Sequence, residues 1–124
     1  MEWKKVSPGL GDLLEEAMGT RECERRKMFG CPAWFVNGNM FAGAFADRIF
    51  LRLSEEDRRE LFDALDEAEP FEPMPGRVMR EYAALPETVF EDRAVLERRL
   101  ERSYRFARSM PEKKMRLPMN EGLM

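Results

Sequence analysis

With 124 residues, 21 lysines and arginines against 24 aspartates and glutamates, no histidine and a formal net charge of -3, the chain has the size of one domain that buries about two thirds of its unfolded surface unaided by disulfides or metals. The lack of histidine removes the commonest general base and zinc ligand together, and the charge balance by itself demands neither a nucleic acid nor an anionic membrane. No segment approaches ~20 uninterrupted apolar residues and the N-terminus has no apolar signal core, so a cytoplasmic location is the default expectation.

The first predicted element is a helix over about 8–18. Ser7-Pro8 reads as an N-cap followed by proline in the first turn, Leu10, Leu13, Leu14, Ala17 and Met18 form an apolar stripe, and Gly19 ends it. Cys23 and Cys31 lack the short spacing of a metal-ligand pair. Without a secretion signal, two reduced thiols are favoured over a disulfide. Cys31 would be reactive beside a cation or a helix N-terminus, but its plainer role is a small, partly buried residue that opens a strand.

Lys27 to Leu53 reads as a β-meander over about 32–53. Asn37-Gly38 suits a two-residue type I′ hairpin, because both residues tolerate positive φ. This turn predicts Val36 opposite Asn39, Phe35 opposite Met40, Trp34 opposite Phe41 and Ala33 opposite Ala42. The second turn falls at Ala46-Asp47 or Asp47-Arg48, and either choice keeps the same face parity. One face then carries Ala33, Phe35, Met40, Ala42, Ala44, Ile49, Leu51 and Leu53, which is the expected core side. The other carries Trp34, Val36, Asn39, Phe41, Gly43, Phe45, Phe50 and Arg52. Four large aromatics on one side are unlike the alternation of a wet sheet face. Trp34, Phe41, Phe45, Phe50 and Arg52 are therefore the candidate protein-contact face.

A second helix is expected over about 55–66, with Ser54 and Asp57 resembling a capping box, acidic residues suited to the helix dipole, and Leu61, Phe62 and Leu65 on one face. Glu55 and Glu56 are better read as helix-start residues than as an acid-base pair, since adjacent helical residues point apart. Three prolines, Pro70, Pro73 and Pro75, within six positions exclude helix and central strand, leaving an extended loop or a sheet-edge segment. The plainer of its readings is a simple connection. A fourth strand follows over about 77–85, with Arg80 and Tyr82 on one side and Met79, Ala83 and Leu85 on the other.

The last helix is expected over about 92–110. Its apolar stripe is Leu96, Leu100, Ser103, Tyr104 and Ala107. Arg98, Arg102 and Arg105 form a candidate basic ridge on the opposite side, continued by Lys113, Lys114 and Arg116 in a basic tail over about 111–124. The ridge suggests phosphate contact. Helix propensity, the helix dipole and pairing with Glu97 and Glu101 explain the same arginines without a ligand. No base-reading motif accompanies them.

Several motifs occur in a distinctive order: Met28-Phe29-Gly30; Asn37-Gly38-Asn39-Met40-Phe41-Ala42; Ile49-Phe50-Leu51-Arg52-Leu53 before a capped helix; then Phe71, Met79-Arg80-Glu81-Tyr82, Leu85-Pro86 and an arginine-bearing last helix. As a set, spanning about Leu10 to Met110, they resemble the N-terminal domain of the TfoX/Sxy family. The resemblance implies an α+β fold with an antiparallel sheet and a regulatory or protein-binding role without known enzymatic activity or cofactor. Better-known members regulate natural competence with a cyclic-AMP receptor protein at promoters. This chain differs from them in stopping at Met124, where a second, helical domain usually follows. It also has Cys31-Pro32-Ala33-Trp34-Phe35 where many members carry a run with glycine and tyrosine.

The expectation is thus a single α+β domain over 1–124, with the meander and a further strand packed against three helices. Three function classes remain. The leading one is a non-enzymatic interaction or regulatory module that binds a protein partner or a second copy of itself. The second is a transcription or competence regulator working through DNA or a DNA-bound partner, direct specific nucleic-acid binding being the weaker form. The third is a small enzyme using Cys31, Tyr82 or a carboxylate. No catalytic residue, cofactor site or metal site is assigned, and no membrane partner is expected.

Overall fold

The computed structural model describes residues 6–28, 30–86, 89 and 91–112. These form three helices and six strands: α1 (Leu10–Met18), β1 (Glu24–Met28), β2 (Cys31–Val36), β3 (Asn39–Phe45), β4 (Arg48–Arg52), α2 (Glu55–Ala64), β5 (Glu69–Met74), β6 (Arg77–Leu85) and α3 (Arg93–Ser109). The strands make one antiparallel sheet in the order β1-β2-β3-β4-β6-β5. This is the expected α+β architecture, enlarged by two strands at the edges. The expected basic tail lies almost wholly outside the described residues, which end at Glu112.

Both tight turns form as expected. Asn37 and Gly38 have φ of 54° and 76°, and the second loop is Ala46-Asp47, with Ala46 at φ 56° and Phe45 paired to Arg48. The register inside the first hairpin differs from the expected one. Val36 faces Asn39 and Phe35 faces Met40, but a bulge then sets Trp34 opposite Ala42 and Ala33 opposite Gly43. Phe41 is the extra residue. A bulge breaks the period-two alternation, so side chains before and after it no longer share a face.

The two apolar clusters show the consequence. On the helix-covered side, Trp34, Val36, Phe41, Ala42, Ala44, Ile49, Leu51 and Leu53 pack with Ala83 and Leu85 and with Leu10, Leu14, Leu61, Leu96 and Leu100 from all three helices. On the other side, Ala33, Phe35, Met40, Phe50, Phe71, Tyr82 and Ala84 form a second cluster that contains no helix residue. The β3–β4 half of the expected core face is therefore correct, while Ala33, Phe35 and Met40 belong to the opposite side. Met79 also changes sides and packs with Tyr82 in the second cluster. The β5–β6 register jumps from Pro70↔Ala83 to Phe71↔Met79, which breaks the alternation along β6.

Helix boundaries follow local chemistry. α1 starts at Leu10 instead of Pro8, because Gly9 at φ 82° takes the cap position without a side-chain bond. Ser7 instead donates its backbone N–H to the Ala46 carbonyl at 2.8 Å, tying the segment to the β3–β4 turn. In α2, Ser54 Oγ accepts from the Asp57 backbone N–H at 3.1 Å, which is the expected cap, and the helix ends at Ala64. Asp92 caps α3 by accepting from the N–H groups of Ala94 and Val95. The α3 stripe of Leu96, Leu100, Ser103, Tyr104 and Ala107 is buried as read. Ser103 Oγ donates to the Phe41 carbonyl at 2.6 Å, pinning α3 to the bulged strand.

The proline-bearing crossing is the sheet-edge segment, not a plain connection. In β5, Phe71 and Pro73 are buried while Glu69, Pro70, Glu72 and Met74 face outward. At the opposite edge, β1 reads Glu24-Arg25-Arg26-Lys27-Met28, a composition poor in strand formers. Its arginines lie over rings of the neighbouring strand, the Arg25 guanidinium 5.1 Å from the Trp34 centroid and that of Arg26 5.5 Å from Phe35. Long aliphatic stems covering aromatic surface explain why so charged a segment docks as a strand.

Candidate functional site

The five residues of the candidate contact face do not share a face. Trp34 and Phe41 are 2% and 0% exposed, inside the helix-covered core, where Phe41 meets Tyr104 edge to face at 5.3 Å. The bulge at Trp34/Phe35 carries them there. Phe45, Phe50 and Arg52 remain on the helix-free side, so the protein's own helices cover one half of the proposed surface and leave the other.

That helix-free side is built around a ring stack. β4 and β5 flank β6, and the rings of Phe50 and Phe71 lean together over it at 4.3 Å with 12° between their planes. Phe45 meets Phe71 in a T-shaped contact at 5.6 Å. Tyr82 adds a third layer and donates its hydroxyl to the Met40 carbonyl at 2.9 Å, so its one polar atom is satisfied inside the cluster. Burial pushes the Tyr82 phenol above its ordinary value, with Arg52 opposing the shift. Arg52 lies over the Tyr82 ring at 5.6 Å and donates Nε to Glu81 at 2.7 Å. Phe50 and Phe71 are buried, whereas Phe45 is only half-buried.

Beside Phe45 the sheet opens into a cleft of about 240 Å³ between the β3–β4 turn and β5. Phe45, Phe50 and Phe71 form its aromatic lining, and Asp47, Arg48, Glu69 and Glu72 its charged lining. Arg48 and Glu69 pair at 3.0 Å, and Glu72 accepts the Gly76 backbone N–H at 2.6 Å. The part of this site played by β5 escaped the sequence reading. The signal for it was the alternation of Phe71 and Pro73 with Glu72 and Met74, which matches a half-buried strand despite the prolines.

The basic ridge is partly neutralised. Arg102 pairs with Asp57 at 2.9 Å and Arg105 with Glu101 at 2.6 Å. Arg99, outside the expected ridge, binds Glu60 through both Nη atoms at 2.6 and 3.3 Å. Arg98 lies with Arg99 and Arg102 along a charged groove of about 280 Å³, opposite Glu56, Asp57 and Glu60. The Arg99 hydrogen bonds hold the Glu60 carboxyl below its usual value. Arg21 does the same for Glu101 by hydrogen bonding, helped by Arg105. Glu97, the other expected partner, is exposed.

Cys23 and Cys31 are not joined by a disulfide. Burial pushes both thiols up, reinforced at Cys23 by the nearby Glu15 carboxylate. Neither the Phe45 cleft nor the groove along Arg98, Arg99 and Arg102 is lined by Cys31 or Tyr82. Among the described residues no three His, Cys, Asp or Glu side chains are placed to hold a metal ion, and no helix is long and apolar enough to cross a membrane.

Neither the curated proteins nor the solved structures offer a match to this chain. The family model described as TfoX N-terminal domain matches residues 13–107. That span contains all six strands, α2, and most of α1 and α3. The ordered motifs, the α+β architecture and this match together place the chain in the TfoX N-terminal domain family.

Proposed function

We propose that this TfoX N-terminal domain is a non-enzymatic protein-interaction module of regulatory type, and that it meets its partner through the helix-free side of the sheet around Phe45. One observation carries the reading. All three helices pack on one side of the sheet, while the other holds a second apolar cluster with half-buried Phe45, Met28 and Met79 at its margin. Aromatic, methionine and arginine side chains are those most enriched at interface centres. Raised thiol and phenol values at Cys31 and Tyr82 work against nucleophilic or acid-base use near neutral pH, which favours binding over catalysis.

A regulatory role through contact with a protein, including a DNA-bound one, is supported better than direct phosphate contact. Two of the three ridge arginines already hold carboxylates, and a phosphate would have to displace them.

A photoreactive phenylalanine analogue at position 45 tests the proposal, with Arg59 on the exposed side of α2 as the control position. The expected result in the source cells is crosslinking to a protein, or to a second copy of the chain, from position 45 alone. Equal crosslinking from both positions, or none from position 45, overturns it.

A further inference from the structure

The charge around the Phe45 cleft points to the chemistry of what enters it. Among the described residues, Asp47, Glu69 and Glu72 line it against one cation, Arg48. The cleft's own arginine is turned toward the α2–β5 connection, where Arg48 Nη1 donates to the Glu67 carbonyl at 3.5 Å. Among the described residues Glu69 holds the Arg48 pair and Glu72 the Gly76 N–H, whereas an ionised carboxylate offers about four acceptor sites. The floor is aromatic, and half-buried Phe45 leaves part of its ring at the opening. Acidic groups above an aromatic surface favour an organic cation, since the ring quadrupole attracts positive charge and the carboxylates supply hydrogen-bond acceptors. The same rim repels an anion. A volume of about 240 Å³ is enough for one long side chain and too small for a folded element.

We propose that this cleft seats a lysine or arginine side chain from a basic segment of the partner protein, held by Asp47 and Glu69 over the Phe45 ring. This rests on the reading of the chain as a protein-binding module and assigns the partner's chemistry. The alkyl stem lies on Phe45 and Phe71, and the charged head reaches the carboxylates.

The test uses the full chain, labelled with ¹⁵N and followed by NMR at low ionic strength, where surface charge is least screened. The probes are butylammonium, which reproduces the lysine side chain, butanol, which has its shape without its charge, and acetate. The expected result is saturable amide shifts confined to residues 45–48 and 69–72 with butylammonium, at least about tenfold weaker binding of butanol, equivalent to about 1.4 kcal/mol, and none of acetate. The exposed Asp47→Asn and Glu69→Gln changes, made together, should weaken butylammonium by at least about fivefold without altering the rest of the spectrum.

No saturable shift at these positions, equal binding of butanol, or indifference to the double substitution overturns the assignment. Crosslinking from position 45 without butylammonium binding removes the cation site and leaves the interaction surface standing. Butylammonium binding without crosslinking removes the partner reading and leaves a cation-binding cleft.

Discussion

The ring of Phe50 lies across the backbone of Gly43, its direct partner in the β3–β4 ladder, and fills the space a side chain would need. A Cβ at Gly43 would stand 2.2 Å from Phe50 Cζ and 2.9 Å from the Pro32 carbonyl oxygen. The ring can move only by disturbing its stack on Phe71, and the carbonyl belongs to β2. Gly43→Ala is therefore expected to lower unfolding free energy by about 1–3 kcal/mol, the usual cost of overpacking. Phe50→Leu in the same chain should recover part of that loss, and a denaturant double-mutant cycle measures the coupling. An unchanged midpoint for Gly43→Ala would show that the ring does not constrain this position.

Ser103 joins α3 to the sheet through one bond. Its side chain is fully buried and its hydroxyl donates to the carbonyl of Phe41, the extra residue of the bulge. Ser103→Ala removes the donor while leaving the apolar surroundings intact. The expected loss is about 1–3 kcal/mol, as for a buried acceptor deprived of its partner. Calorimetry or urea unfolding reads it, and a loss below about 0.5 kcal/mol, within the range of ordinary surface changes, would mean that the carbonyl is satisfied otherwise.

Acid should destabilise the helix layer in a traceable way. Glu60 and Glu101 have carboxyls held below the ordinary value of 4.5 by hydrogen bonds from Arg99 and Arg21 respectively. A lowered folded-state value means that the unfolded chain takes up protons first as pH falls. Their contribution is complete above the unfolded value of 4.5 and disappears as pH drops through the lower folded values. Urea midpoints should thus be level near neutrality and fall below that carboxylate range. Arg21→Met should partly flatten the acid limb by removing the larger of the two arginine contributions at Glu101, that of Arg105 remaining. An acid limb identical to that of the unaltered chain would count against this coupling. The Glu60 side chain is exposed and that of Glu101 half-buried, so salt should also weaken the effect, most of all at Glu60.

The parts legible in the sequence were those governed by one local signal. Asn37-Gly38 dictated its turn, Ser54 and Asp92 their helix starts, and the spacing of Leu96, Leu100, Ser103, Tyr104 and Ala107 the buried side of α3. The bulge at Trp34/Phe35 was not legible, because Trp34, Phe35, Val36, Met40 and Phe41 are all apolar. With no polar residue to mark the wet side, nothing in the alternation reveals an extra residue. The parity inferred from the turn then carried past it and put Trp34 and Phe41 on the wrong side.

β1 and β5 were hidden for different reasons. In β1 the apolar contribution comes from arginine stems lying on Trp34 and Phe35, and this is visible only once those rings are placed. In β5 the prolines outweighed the alternation of Phe71 and Pro73. The candidate site suffered in proportion: Phe45, Phe50 and Arg52 share one side as expected, but the Phe71 and Glu69 wall that Phe45 and Phe50 face lies on the strand read as a connection.

The two outer strands also decide how copies of this molecule can meet. β1 ends the sheet with a run of four charged residues, and β5 ends it with Pro70 and Pro73, which have no N–H to offer a further strand. Charge at one border and proline at the other disfavour main-chain pairing between molecules, which works against lengthening of the sheet or the addition of a donated strand. The binding proposed above would then proceed through side chains on a face. Such binding would be sensitive to single substitutions and to ionic strength, and the same two borders work against edge-to-edge stacking of so aromatic a sheet into fibres.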